Sequence, residues 1–175
     1  MASGAGEGVT DCYPRRRGRH VPLTDGAKGM TDGSLRWFFD QGAINWHELA
    51  ELYRIAPLGN KTADELAIAF ANSMFKCFVR DNESLVGAGR AVADGIDCCY
   101  LCDVAVHPDF QRRGLGREIV TRLMELSGGH KKIILYANSG SEGLYRKFGF
   151  LRMRRAMAVF KDPERAITRG LLEKP

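Results

Sequence analysis

No apolar run in this sequence approaches the roughly eighteen residues that cross a bilayer. The first residues contain no apolar core of the kind a secretory signal needs, so the cytoplasm is the expected setting. Cysteine is scarce and odd in number, five in all, which argues for reduced thiols rather than a disulfide framework. Cys99 and Cys102 have C-x-x-C spacing, but no second Cys or His pair follows at finger spacing. On a strand these two side chains point to opposite faces, so no metal site is expected. No internal repeat is visible.

A polypeptide of 175 residues with 45% apolar content suits one domain with a real core. The net charge is +5. The cations cluster at Arg15, Arg16, Arg17 and Arg19, at Arg112 to Arg117, and at Arg146, Lys147, Arg152, Arg154 and Arg155. No aromatic-rich basic strand accompanies them, so nucleic acid is not the expected partner. A cofactor with several phosphates would use the same charge.

Residues 1–33 are rich in Gly, Arg, Asp and Thr, lack periodicity, and are expected to form a flexible leader. The domain is expected over 34–162, followed by a polar tail, 163–175, with room for a short helix. A first strand is expected over 35–39. Asn45 can cap a helix carrying Trp46, Leu49, Leu52 and Tyr53 at helical spacing. Thr62 and Glu65 form a capping box ahead of Leu66, Ala69, Phe70 and Ser73. Strands over 75–80, 85–93 and 98–106 follow, joined by short turns. Then come a helix over 114–126, a strand over 133–137 apolar enough to be buried on both faces, and a short helix over 140–147. Segments 150–152 and 156–160 are expected to form a closing hairpin.

The most informative stretch is Gln111-Arg112-Arg113-Gly114-Leu115-Gly116, between the strand ending at Val106 and the helical pattern Leu115, Ile119, Leu123, Leu126. A glycine-containing loop there bares backbone N–H groups at a helix N-terminus, which suits a pyrophosphate. Arg112, Arg113 and Arg117 add positive charge beside it.

This stretch fits the Q/R-x-x-G-x-G/A signature of the GCN5-related N-acetyltransferase (GNAT) family. Asp103-Val104-Ala105-Val106-His107-Pro108 before it and Leu144-Tyr145-Arg146-Lys147-Phe148-Gly149-Phe150 after it lie at the expected distances. The chain resembles this family from about Leu35 to Lys161, and within it the plastid and cyanobacterial serotonin-type enzymes. The resemblance implies an α/β fold: a mixed, mostly antiparallel sheet with flanking helices and a splayed parallel strand pair that holds acetyl-CoA. It implies no metal. Val104, Ala105 and Val106 would line the pantetheine arm with their backbone. Gln111, Arg112, Arg113, Gly114, Leu115, Gly116 and Arg117 would hold the pyrophosphate. Asn138 would bond the arm, shape the acceptor site or serve as a turn residue. Ser141 would reach the cofactor or cap the next helix. The last strands often pair subunits in the family, so a homodimer is in view.

Thioester aminolysis needs a proton taken from the amine and one given to the CoA thiolate. The resemblance assigns the second task to the Tyr145 phenol. The first lacks an obvious group. By strand parity Val104, Cys102 and Tyr100 share a face, and none is a plain base. Asp103 is the nearest carboxylate and reaches that face only if a bulge re-aims it. A water chain to Asp103, Tyr100 or Asp97 is the alternative, and His107 reads as a surface residue. The expected activity is acetyl transfer to a primary amine of a small molecule. Protein lysine or N-terminal acetylation is the second reading, and an acyl-CoA sensor without efficient turnover is the third. Tyr53, Leu58, Phe70 and Met153 are candidates to shape the acceptor pocket.

Overall fold

The computed structural model describes residues 35–42, 44–138 and 140–174. The expected leader lies outside the described residues. Five strands, β1 (Leu35–Phe38), β2 (Phe75–Asp81), β3 (Ser84–Ala93), β4 (Cys98–Val106) and β5 (Lys132–Ile134), form one sheet in that order. All neighbours are antiparallel except β4 and β5, which run parallel. That pair needs a long crossover, and helix α3 (Leu115–Leu126) supplies it.

Helices α1 (Trp46–Ile55) and α2 (Ala63–Ala71) cover one face of the sheet, and α3 covers the other. Asn45 caps α1 by accepting from His47 and Glu48 N–H, and the Thr62–Glu65 capping box opens α2. Leu49, Leu52 and Tyr53 of α1 and Leu66 and Phe70 of α2 are fully or almost fully buried against Phe78, Ala88 and Ala105. Each such large side chain contributes about 1.5–3 kcal/mol over leaving it exposed. Opposite them, Ile119, Val120 and Leu123 of α3 close over Cys77, Val79, Val86 and Leu101.

Glycine on β3 lets α3 come close. A Cβ at Gly89 would stand 2.7 Å from Ile119 Cγ2 and 2.9 Å from Leu123 Cδ1. The first of these is a methyl on a β-branched carbon and has little room to give. Gly89→Ala is expected to lower stability by about 1–3 kcal/mol through overpacking. A Cβ at Gly143 would meet nothing within 4 Å, so Gly143→Ala is the matched control. Urea denaturation of the two variants checks this; equal midpoints would remove the close approach.

The C-terminal part departs from expectation. β5 spans three residues rather than the expected 133–137, and Tyr136 is 60% exposed. Helices α4 (Glu142–Arg146) and α5 (Pro163–Thr168) are present. The hairpin expected over 150–152 and 156–160 is absent; this stretch runs without strand pairing, and Leu151, Met153, Met157 and Val159 are exposed. Arg152, Arg154 and Arg155 place three like charges where the hairpin would have to close.

Candidate active site

β4 is paired along one edge with β3 from Cys99 to Val106. On its other edge it meets β5 only at Cys98, Cys99 and Tyr100. Beyond the Tyr100–Ile134 pair the two strands part, and among the described residues no strand lies beside 101–106 on that edge. Unpaired peptide groups on a strand edge are a template for an extended ligand. Tyr100 and Tyr136 stack at this fork, their ring centroids 5.9 Å apart at 24°. Burial first, then the Tyr136 hydroxyl, raises the pKa of Tyr100, so it stays a neutral phenol.

The β4 edge leads into the loop of Gln111 to Gly114 ahead of α3. After one 3-10 turn at Pro108–Phe110, Arg112 (φ +59°) and Gly114 (φ +91°) adopt left-handed conformations. Gly114 is the N-cap of α3 and supplies no side-chain capping bond, so the first N–H groups of the helix lie bare. Gln111 Nε2 donates to the Val106 carbonyl at 3.0 Å and ties the loop to the end of β4. Gln111, Arg112, Arg113, Gly114 and Arg117 are exposed, Leu115 is buried as the first core residue of α3, and Gly116 lies against Val106. Arg113 stacks its guanidinium over Phe110 at 5.1 Å. A cleft of about 600 Å³ flanks the same loop on the β1 side, lined by Trp37, Asp81, Arg113 and Arg117 among others.

Between Ala88 and Arg90 the β3–β4 register slips, so that Asp103 and Val104 together oppose Gly89. Asp103 sits at φ +54°, a left-handed conformation that is uncommon outside glycine. This bulge changes which side chains share a face. Val104 turns to the α3 side and packs in its cluster, apart from Cys102 and Tyr100. Asp103 turns instead toward α1 and α2, where Ala105 also packs. Parity alone had grouped Val104 with Tyr100 and Cys102, and the extra residue undoes that grouping.

Asp103 is the centre of a polar cluster. Lys61 Nζ donates to both its carboxylate oxygens at 2.8 Å, and Arg90 Nε donates to Oδ2 at 2.6 Å. Tyr53 donates its hydroxyl to the Asp103 carbonyl at 3.4 Å, and Arg90 also reaches Ser73 Oγ at 3.1 Å. Burial holds the Tyr53 pKa well above its ordinary value and pushes the Cys102 thiol up to about 11. Neither group supplies an anion at neutral pH. Cys99 faces the other side and donates to Ser127 Oγ, so the two cysteines of the C-x-x-C spacing diverge.

Lys61 and Arg90 were not legible as site residues. The one lies in the loop ahead of the Thr62 cap, the other on β3 opposite Cys102. Only the bulge brings them to one carboxylate. Of the expected pocket-shaping residues, Tyr53 and Phe70 are core, Leu58 packs at the edge of that core, and Met153 is exposed.

Tyr145 lies on α4, half-buried among the α3-side apolar residues, with its ring edge-on to Phe150 at 6.0 Å. Burial raises its pKa, which keeps the hydroxyl protonated near neutrality. Ser141 precedes α4 but makes no side-chain capping bond; its N–H donates to the Asn138 carbonyl at 2.9 Å. Asn138 is exposed beyond the end of β5.

Residues 42–150 match the model of the acetyltransferase (GNAT) family. Over 115 residues the chain is 30% identical to an uncharacterized N-acetyltransferase, ycf52, of Pyropia yezoensis, covering 62% of this chain and 66% of that protein. It is 42% identical over 67 residues to serotonin N-acetyltransferase 2, chloroplastic, of Oryza sativa subsp. japonica, covering 37% and 34% of the two chains. The chain thus spans about two thirds of the length of the first relative and one third of the second. A probable acetyltransferase from Staphylococcus aureus superposes with a TM-score of 0.66 at 22% identity, over 73% of this chain and 98% of that one, which shows a common fold. The parallel fork, the glycine-started helix after it and the family match over more than half the sequence agree: the chain belongs to the GNAT acetyltransferase family.

Proposed function

We propose that this protein transfers the acetyl group of acetyl-CoA to a primary amine of a small molecule. One observation carries the reading: the open edge of β4 runs from the fork straight into the uncapped N-terminus of α3. The backbone of Val104, Ala105 and Val106 pairs with the pantetheine arm. The N–H groups at Gly114, Leu115 and Gly116, with Arg112, Arg113, Arg117 and Gln111, receive the pyrophosphate. Asn138 and Ser141 flank the arm from the β5 side. Tyr145 gives a proton to the departing thiolate, and Asp103, directly or through water, takes one from the amine. Chloroplastic names among the relatives support a plastid setting over the cytoplasm expected from composition.

Release of free thiol from acetyl-CoA on adding a panel of amines tests the reading. Amine-dependent release is expected; binding of acetyl-CoA without release across the panel would leave only a sensor. With an amine that turns over, Asp103→Asn is expected to lower kcat/KM by about 10²-fold at neutral pH. The loss should shrink as pH rises toward the pKa of the amine, where free amine no longer has to be made. A loss equal at every pH would make Asp103 a purely structural partner of Arg90.

A further inference from the structure

The amine nearest Asp103 belongs to the protein itself. Lys61 reaches in from the loop between α1 and α2, its Nζ 2.8 Å from each carboxylate oxygen and 5.2 Å from the centre of the Tyr53 ring. That is a primary ammonium on a carboxylate with an aromatic ring beside it, the arrangement an amine acceptor would need. Charge balance does not require it. Arg90 already neutralises Asp103 and is fixed by Ser73 and by the Phe70 ring, 6.0 Å away. Two cations on one carboxylate leave the cluster one charge positive. Arg90 is anchored on β3 with a side chain 15% exposed, whereas Lys61 is 34% exposed on a loop. Lys61 is therefore the displaceable partner. The bulge also sets this carboxylate on the stretch of β4 that β5 leaves unpaired.

We propose that Lys61 stands in the place of the acceptor amine and is acetylated by its own chain. The inference rests on the acetyl-transfer reading above. The Lys61 ammonium gives up one proton, to Asp103 or through water to solvent. Its lone pair forms the N–C bond to the acetyl carbonyl, and the C–S bond breaks. The second nitrogen proton leaves as the adduct collapses, and the thiolate is protonated to CoA. The sum is lysine ammonium plus acetyl-CoA giving acetyl-lysine, CoA and one proton. The product is a neutral amide with no ion pair to make, so Asp103 is released to receive an external amine.

The test needs no external acceptor. The full chain is incubated with acetyl-CoA, and acetylation of every lysine is followed over time by peptide mass mapping. Lys61 is expected to be acetylated at least about tenfold faster than Lys147 or Lys174, which are more exposed, because Asp103 holds its amine at the unpaired stretch of β4. The rate should saturate with acetyl-CoA and be independent of protein concentration. Lys61→Arg keeps a cation on Asp103 and removes the acceptor, so the fast phase should vanish from a folded protein. Labelling of Lys61 no faster than of exposed lysines, in a protein that calorimetry shows to bind acetyl-CoA, overturns the inference and leaves the functional reading intact. A rate that rises with protein concentration overturns self-acetylation in favour of transfer between molecules. If acetyl-CoA does not bind at all, the functional reading fails first and this inference falls with it.

Discussion

Gly114→Asp is expected to weaken acetyl-CoA binding by about two orders of magnitude or more while the protein stays folded. The expectation combines geometry and charge. Gly114 sits at φ +91° as the N-cap of α3, and a Cβ built there meets nothing within 4 Å, so space is not the obstacle. A carboxylate at this position points a negative charge into the place proposed for a pyrophosphate. Two unit charges about 4 Å apart near a protein surface repel by ~4 kcal/mol, and about 1.4 kcal/mol is tenfold in affinity. The Asp side chain can also cap the bare N–H groups and so compete with the ligand for them. Gly114→Asn separates the causes, since Asn has the same shape, tolerates positive φ and carries no charge. Asn is expected to lose about tenfold or less, chiefly by capping, against the larger loss for Asp. Calorimetry with acetyl-CoA reads both. Equal affinities for wild type and Asp would move the pyrophosphate site away from this loop.

The order of helices and strands up to α4 was legible because each element carries its own local signal. Asn45 and the Thr62–Glu65 box start their helices by hydrogen bonds made within three residues. The apolar spacing of Leu115, Ile119 and Leu123 writes the buried face of α3 directly. The loop between β4 and α3 was equally plain, since its glycines stand between an apolar run and a helical pattern. What failed to show were features that depend on pairing. The expected closing hairpin alternates well enough along 150–160, yet among the described residues no strand pairs with it. No local pattern announces how long a partner strand will be.

The face of Asp103 illustrates the same limit within the site. A bulge is one extra residue relative to a partner strand, and the partner here is Gly89 on β3. Reading β4 alone, Asp103 belongs with Leu101, which is buried under α3. Reading it against β3, Asp103 belongs with Cys102 and the Lys61–Arg90 cluster. The strand sequence raised the possibility that a bulge would re-aim the carboxylate. The two cations that meet it come from the neighbouring strand β3 and from a loop 42 residues away in sequence. Their convergence is a property of the sheet and of α1 and α2 packed on it. Removing Asp103 accordingly does two things, since a largely buried Arg90 loses its counter-ion as well. Only the pH profile separates those effects.

Tyr145→Phe is expected to lower kcat by about 10² to 10⁴ with little change in affinity for acetyl-CoA. The substitution keeps the ring, its edge-on contact with Phe150 and its place against the α3-side core, and removes only the hydroxyl. That contact gives the ring a packing role in any case, so a larger truncation would confound structure with chemistry. Burial raises the pKa of Tyr145, so the group carries its proton throughout the neutral range and is ready to give it to a thiolate. The sign of the pH dependence follows. The wild-type rate should hold as pH rises until the phenol ionises, above its ordinary value near 10, and fall beyond that point. The Phe variant has no such group and should show no such fall. CoA thiolate is itself a fair leaving group, which places the loss nearer the low end of the range. Single-turnover measurements, in which chemistry is observed without product release, give the cleanest comparison. A Phe variant with the wild-type single-turnover rate would leave Tyr145 as a core residue and require water or a backbone N–H to meet the departing sulfur.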